Sequence, residues 1–161
     1  MKTILIFLIS FTALGQYAPK PLDNIYSYVS IGSSSAVKPH TNQLILNGIV
    51  TAGVRYKLFD ISLNTEYVNL DPKYLSYFFT VQVMPITIYE FELGLGIKKG
   101  NIIRMDNKTF DLVGVQGEIR YTLGKFFGSL VGNYDFRGDT STMWGKDYMV
   151  YTTHLKIGIK I

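Results

Sequence analysis

Cysteine is absent from this 161-residue chain, and with it go a disulfide framework, a thiolate metal site and any mechanism built on a cysteine nucleophile. Charge is scarce: 17% of residues are charged, against 47% hydrophobic and 14% aromatic. The 16 basic residues outnumber the 12 acidic ones, but they are scattered and form no basic stripe of the kind that tracks nucleic acid. Beyond Gly15 no apolar run is long enough for a membrane-spanning helix, which needs about 20 residues. Phosphate-binding glycine loops, EF-hand patterns and zinc spacings are all missing, so no cofactor is expected.

What is present begins at the N-terminus. Lys2 precedes an apolar run from Ile4 to Leu14, and Ala13 and Gly15 stand at the minus-three and minus-one positions before Gln16. That is the layout of a cleavable export signal, so residues 1–15 are expected to be a signal peptide and residues 16–161 one mature domain. A single core suits a chain of this length.

The mature chain has a hydrophobic period of two. Val50, Ala52, Val54, Tyr56 and Leu58 share a face opposite Thr51, Gly53, Arg55 and Lys57. Similar alternation runs over 61–69, 77–83, 89–97, 113–123 and 149–161. Two weaker segments complete the set: 25–32, whose facing is left open with Ile25, Val29 and Ile31 as one candidate face, and 126–136, where Phe126, Gly128, Leu130, Gly132, Tyr134 and Phe136 share a face. Eight strands are therefore expected.

Their connections alternate in length. Tight turns are expected at Phe59-Asp60, around Pro85 to Thr87, and at Gly124-Lys125, where a leading glycine suits a type II′ hairpin. Between them lie mostly longer polar links, near 34–46, 70–75, 99–109 and 137–147. A turn at Phe59-Asp60 would set Arg55 opposite Asn64 and Gly53 opposite Glu66. In the next hairpin Gln82 would oppose Glu90, and Phe78 would oppose Gly94.

Even-numbered antiparallel strands with short turns at one end and longer loops at the other are the arrangement of outer-membrane barrels, because a sheet can cross lipid only if it closes on itself. None of the six well-marked apolar faces carries Lys, Arg, Asp or Glu, and aromatics gather near both strand ends as an interfacial girdle would. In these features the chain resembles the small eight-stranded bacterial outer-membrane barrels, the class of OmpX and the transmembrane part of OmpA. The resemblance implies an all-β, up-and-down transmembrane barrel, exported and inserted into the outer membrane. Its partners would be outer-membrane lipid and an extracellular ligand of the long loops, with no nucleic acid, and it would be a monomer. Such barrels commonly end in an aromatic residue, whereas this chain ends in Ile161.

With polar faces inward, Arg55, Lys57, Glu66, Gln82, Glu90, Glu92, Lys98, Gln116, Glu118, Arg120, His154 and Lys156 are expected to form a polar network in the lumen. The network reads as a plug of mutually satisfied charges, since an unpaired buried charge is costly. A narrow, porin-like pore is the alternative, and so is a soluble lipocalin-like calyx with its apolar face inward. Against the calyx stand the scarcity of Lys and Glu on the polar faces and the absence of a Gly-x-Trp start, Trp144 being the sole tryptophan.

No catalytic or metal-binding set is expected. His40 and His154 form no recognisable nucleophile–base constellation, and Glu90 and Glu92 lack a cleft. Arg137-Gly138-Asp139 spells an adhesion tripeptide, and Asn107-Lys108-Thr109 a glycosylation acceptor; both are read as chance.

Overall fold

In a computed structural model, described over residues 25–37, 44–69, 73–140 and 149–161, eight antiparallel strands close into a barrel. Residues 1–24, which include the segment expected to be a signal peptide, and His40 and Trp144 lie outside the described residues. The strands are β1 (Ile25–Val37), β2 (Leu44–Tyr56), β3 (Phe59–Val68), β4 (Tyr74–Ile88), β5 (Phe91–Arg104), β6 (Thr109–Leu123), β7 (Phe126–Arg137) and β8 (Met149–Lys160). Each pairs with its neighbour in sequence, and β1 pairs with β8 from Tyr28↔Lys160 to Ala36↔Thr152. Closure leaves none of these eight strands as a sheet edge.

Successive side chains of a strand point to opposite faces, and burial follows that period. On β3 Ile61, Leu63 and Tyr67 are exposed, while Ser62, Asn64 and Glu66 are buried. The weak first strand obeys the same rule, with Ile25, Val29 and Ile31 outside and Tyr28, Ser30 and Ser34 inside. On β7 the expected apolar face is also outward, with Phe126, Leu130, Tyr134 and Phe136 exposed. The buried set is mostly polar and the exposed wall apolar, the reverse of a calyx.

Two turns fall elsewhere than the sequence suggests. The first is Lys57-Leu58, so Arg55 faces Asp60 and Gly53 faces Ser62. The second is Tyr89-Glu90, and Pro85 lies within β4 at a register shift between Val83 and Ile86. Gln82 therefore faces Gly96, and Phe78 faces Gly100. The bulge suits proline, which has no N–H to give the ladder. Gly124-Lys125 turns as expected, with Leu123 facing Phe126. In each tight turn the first residue alone has positive φ: Lys57 at 54°, Tyr89 at 54° and Gly124 at 60°. Both displaced turns leave the expected apolar faces where they were; beyond the bulge the parity of β4 changes, and Ile86 and Ile88 pair with the outward residues Leu93 and Phe91.

The other end carries the connections 38–43, 69–73, 105–108 and 138–148. The third is shorter than expected because 99–104 extend β5. That extension carries the outward face of β5 from Ile97 to exposed Lys99, and the outward face of β6 reaches exposed Asp111 beyond Val113. The apolar band thus ends at the level of Lys99, which pairs with Phe79 and Val113.

Candidate functional site: the barrel lumen

Every second residue of eight strands points into one narrow interior, so the lumen is filled by the sequence positions that alternation leaves polar. Among the described residues its buried charges balance. Arg55, Lys98, Arg104, Arg120, Arg137 and Lys156 face Asp60, Glu66, Glu92, Glu118, Asp135 and Asp139.

Nearest the tight turns is a layer centred on Arg120, which is 1% exposed. Its Nη1 lies 2.9 Å from Asp60 Oδ2, and its Nε donates to Glu118 Oε1 at 2.9 Å. The guanidinium also lies 4.9 Å from the Tyr28 ring centroid and 5.0 Å from that of Phe127. Tyr28 donates its hydroxyl hydrogen to Asp60 Oδ1 at 2.7 Å. Beside this group Arg55 Nη2 reaches across to Glu92 Oε1 at 3.1 Å. Glu92 also lines a recess of about 280 Å³ at the turn end, with Thr87, Glu90, Thr122 and Lys160.

Above it the layer is uncharged apart from Lys156. Gln116 Nε2 donates to Gln82 Oε1 at 2.7 Å, and Gln82 Nε2 donates to Glu118 Oε2 at 2.6 Å. Asn64 accepts from Thr51 at 2.8 Å and from Lys156 Nζ at 3.3 Å. Higher again, Lys98 Nζ meets Asp135 Oδ2 at 2.7 Å and lies 4.6 Å from the Phe78 ring centroid. Glu66 is held by Ser34, by Ser76 at 3.3 Å and by His154 Nε2 at 3.7 Å. Ser34 and His154 both turn to the carboxylate and not to each other, so the trio lacks the serine–histidine bond that activates a nucleophile.

The loop end is closed by different chemistry. Ile49, Val68, Tyr74, Phe78, Ile102 and Leu112 form an apolar layer inside the barrel. Over it Asp139 bonds Arg104 Nη2 at 2.8 Å and Arg137 Nη2 at 2.8 Å. Arg137 also donates to the Tyr74 hydroxyl and lies 4.4 Å from that ring's centroid. Burial pushes the Asp139 carboxyl up, but the hydrogen bonds and charges of Arg137 and Arg104 outweigh it and hold it below the usual carboxylate range.

Ten of the twelve residues expected in the lumen lie on the inward faces of the strands: Arg55, Glu66, Gln82, Glu92, Lys98, Gln116, Glu118, Arg120, His154 and Lys156. Lys57 and Glu90 do not; each is an exposed member of a tight turn, because those turns fall where the expected strands ran on. Asp60, Arg104, Asp135, Arg137 and Asp139 also belong to the interior, beyond the expected set. The Arg137-Gly138-Asp139 tripeptide is tied up in the clasp, with both charged members buried.

No family model and no curated protein matches the chain. Among solved structures, it is similar to the crystal structure of Neisserial surface protein A, with a TM-score of 0.56. The likeness covers 85% of this chain and 96% of that one at 12% identity. The fold is that of the eight-stranded outer-membrane barrels. The outer wall of the barrel is the exposed apolar set described above.

Proposed function

We propose that this chain is exported through its leader at 1–15 and stands in a bacterial outer membrane as a monomeric barrel. It serves there as an envelope component that displays loops at the cell surface. The tight turns face the periplasm, and the connections 38–43, 69–73, 105–108 and 138–148 face outward as the surface open to an extracellular ligand. The lumen is a plug. One observation carries this reading: a wall of exposed apolar side chains encloses an interior of balanced, paired charges. Water would favour the opposite arrangement, while lipid outside and ion pairs within satisfy both sets.

Leu63, 69% exposed on β3, separates a lipid-facing wall from a solvated one. Placing a lysine there costs about 2 to 4 kcal/mol at mid-bilayer. Leu63→Lys is expected to lower the urea midpoint in phospholipid vesicles, and the wild-type chain to fractionate with outer membranes as a heat-modifiable band. A neutral lysine together with a soluble mature chain would refute the proposal. Single-channel recording reads the plug separately, and discrete conductance steps would show a pore instead.

A further inference from the structure

The outer wall is not uniformly covered. Leu95, Gly117, Gly132 and Thr153 are successive cross-strand partners on β5, β6, β7 and β8, all on the outward face. Two neighbouring members of that row have no side chain, so the wall sinks between the row of Ile119 and Leu130 on one side and the row of Val115 and Tyr134 on the other. The depression is a groove of about 490 Å³ that runs on to Pro85 and Ile86 at the β4 bulge. Leu93, Leu95, Ile119 and Leu130 line it, and Tyr151 leans over Gly132 at its far end, its hydroxyl 3.2 Å from where a Cβ would sit.

We propose that this groove seats one acyl chain of a membrane lipid, held longer than the lipids that meet the rest of the wall. The inference rests on the membrane reading above. The groove is continuous with the lipid-facing surface and lies within its apolar band, between the level of Phe91 and Tyr121 and that of Lys99. Its shape selects the occupant. Outward residues of one strand repeat about every 7 Å and strands about every 4.8 Å, so the two missing side chains leave a trench one side-chain row wide across β6 and β7, continued between flanking side chains to the β4 bulge. A methylene chain fits such a trench lengthwise. A helix, about 10–12 Å across with its side chains, cannot enter it. In lipid the gain comes from van der Waals contact along the chain, which a concave wall provides on three sides and a flat wall on one.

The test fills the groove. A Cβ on Gly117 meets only Leu95 Cδ2 at 3.6 Å and Gly94 O at 3.9 Å, ordinary contacts, so Gly117→Leu fits without strain on the backbone. Gly48 on β2 is also exposed and has nothing within 4 Å of its Cβ position, and Gly48→Leu is the control outside the groove. Wild type and both variants are reconstituted in vesicles of phosphatidylcholine carrying a trace labelled with a nitroxide near the methyl end of one acyl chain. Electron paramagnetic resonance counts the motionally restricted chains per barrel, while flotation and heat-modifiability report insertion and folding. Gly117→Leu is expected to lose one restricted chain with folding unchanged, and Gly48→Leu to lose none. Equal counts in floated, folded barrels overturn the seated chain and leave the membrane reading intact; a wild-type chain that does not float overturns both. A dimer cross-link present in wild type and lost in Gly117→Leu would mean that a second copy fills the groove, and it also overturns the proposal.

Discussion

Arg120 is the position at which the plug can be tested most severely. It is 1% exposed, and its Nη1 and Nε serve Asp60 and Glu118 at 2.9 Å each. Replacing it with methionine keeps most of the volume between the Tyr28 and Phe127 rings, so the cavity term is small. The two carboxylates are left without their shared cation. Asp60 keeps the Tyr28 hydroxyl and Glu118 keeps the Gln82 amide, and these neutral donors offset only part of the loss. Breaking a buried pair by removing one partner costs about 3 to 5 kcal/mol. At about 1.4 kcal/mol per decade, this shifts the unfolding equilibrium by roughly two to three and a half powers of ten. Neutralising the whole cluster, Arg120→Met with Asp60→Asn and Glu118→Gln, should recover most of it, because uncharged replacements of a buried ion group are often neutral or better. The assay is urea unfolding in phospholipid vesicles, followed by tyrosine fluorescence and by the shift of the heat-modifiable band. A single variant that loses less than about 1 kcal/mol would refute the reasoning, since two uncompensated buried carboxylates must cost more than that. A triple variant as unstable as the single would refute it too.

Two further outcomes follow from the same geometry. Gly32 on β1 faces Lys156 on β8 across the closing seam, and a Cβ there would overlap the Leu155 carbonyl oxygen. Gly32→Ala is expected to abolish or sharply reduce the compact, fast-migrating band on an unheated gel, whereas Gly117→Ala leaves it unchanged. At the loop end, the depressed Asp139 carboxyl contributes stability that is fully present above the unfolded value of about 3.9 and lost as pH falls through the folded value below it. The urea midpoint should therefore gain nothing from this residue between pH 5 and 8. Asp139→Asn should lower the midpoint at pH 7 and reduce the fall measured below pH 4.

The faces are legible in the sequence because alternation is read strand by strand and survives any even slip of register. The registers themselves are not. Phe59 and Asp60 look like a break between two apolar runs, yet Phe59 is the outward start of β3 and Asp60 the inward partner of Arg120. Proline usually marks a turn, and Pro85 instead occupies a bulge three residues short of the end of β4. Those two shifts account for Lys57 and Glu90 leaving the interior and Asp60 entering it. At the loop end, polar composition conceals strand. Residues 99–104 read as loop, which would give Arg104 to solvent, and Arg137 and Asp139 read as the start of the next loop although they form the clasp. Asp135 is the recoverable omission, since the parity chosen for β7 already turns it inward. Which cation meets which anion depends on how the wall curves, and no one-dimensional pattern carries that.

The ion pairs of the interior have a consequence for how the barrel is made. Arg55 on β2 meets Glu92 on β5, Asp60 on β3 meets Arg120 on β6, and Lys98 on β5 meets Asp135 on β7. None of these partners sits on adjacent strands. A flat β2–β3 or β5–β6 hairpin would instead set Arg55 beside Asp60 and Glu92 beside Arg120, its own cross-strand neighbours. Only curvature brings the final partners together across the lumen, so curling the sheet exchanges a charge's neighbour for a partner on a distant strand. The curvature of the closed wall therefore decides which cation meets which anion, and a sheet that stayed flat would keep a different set of pairs.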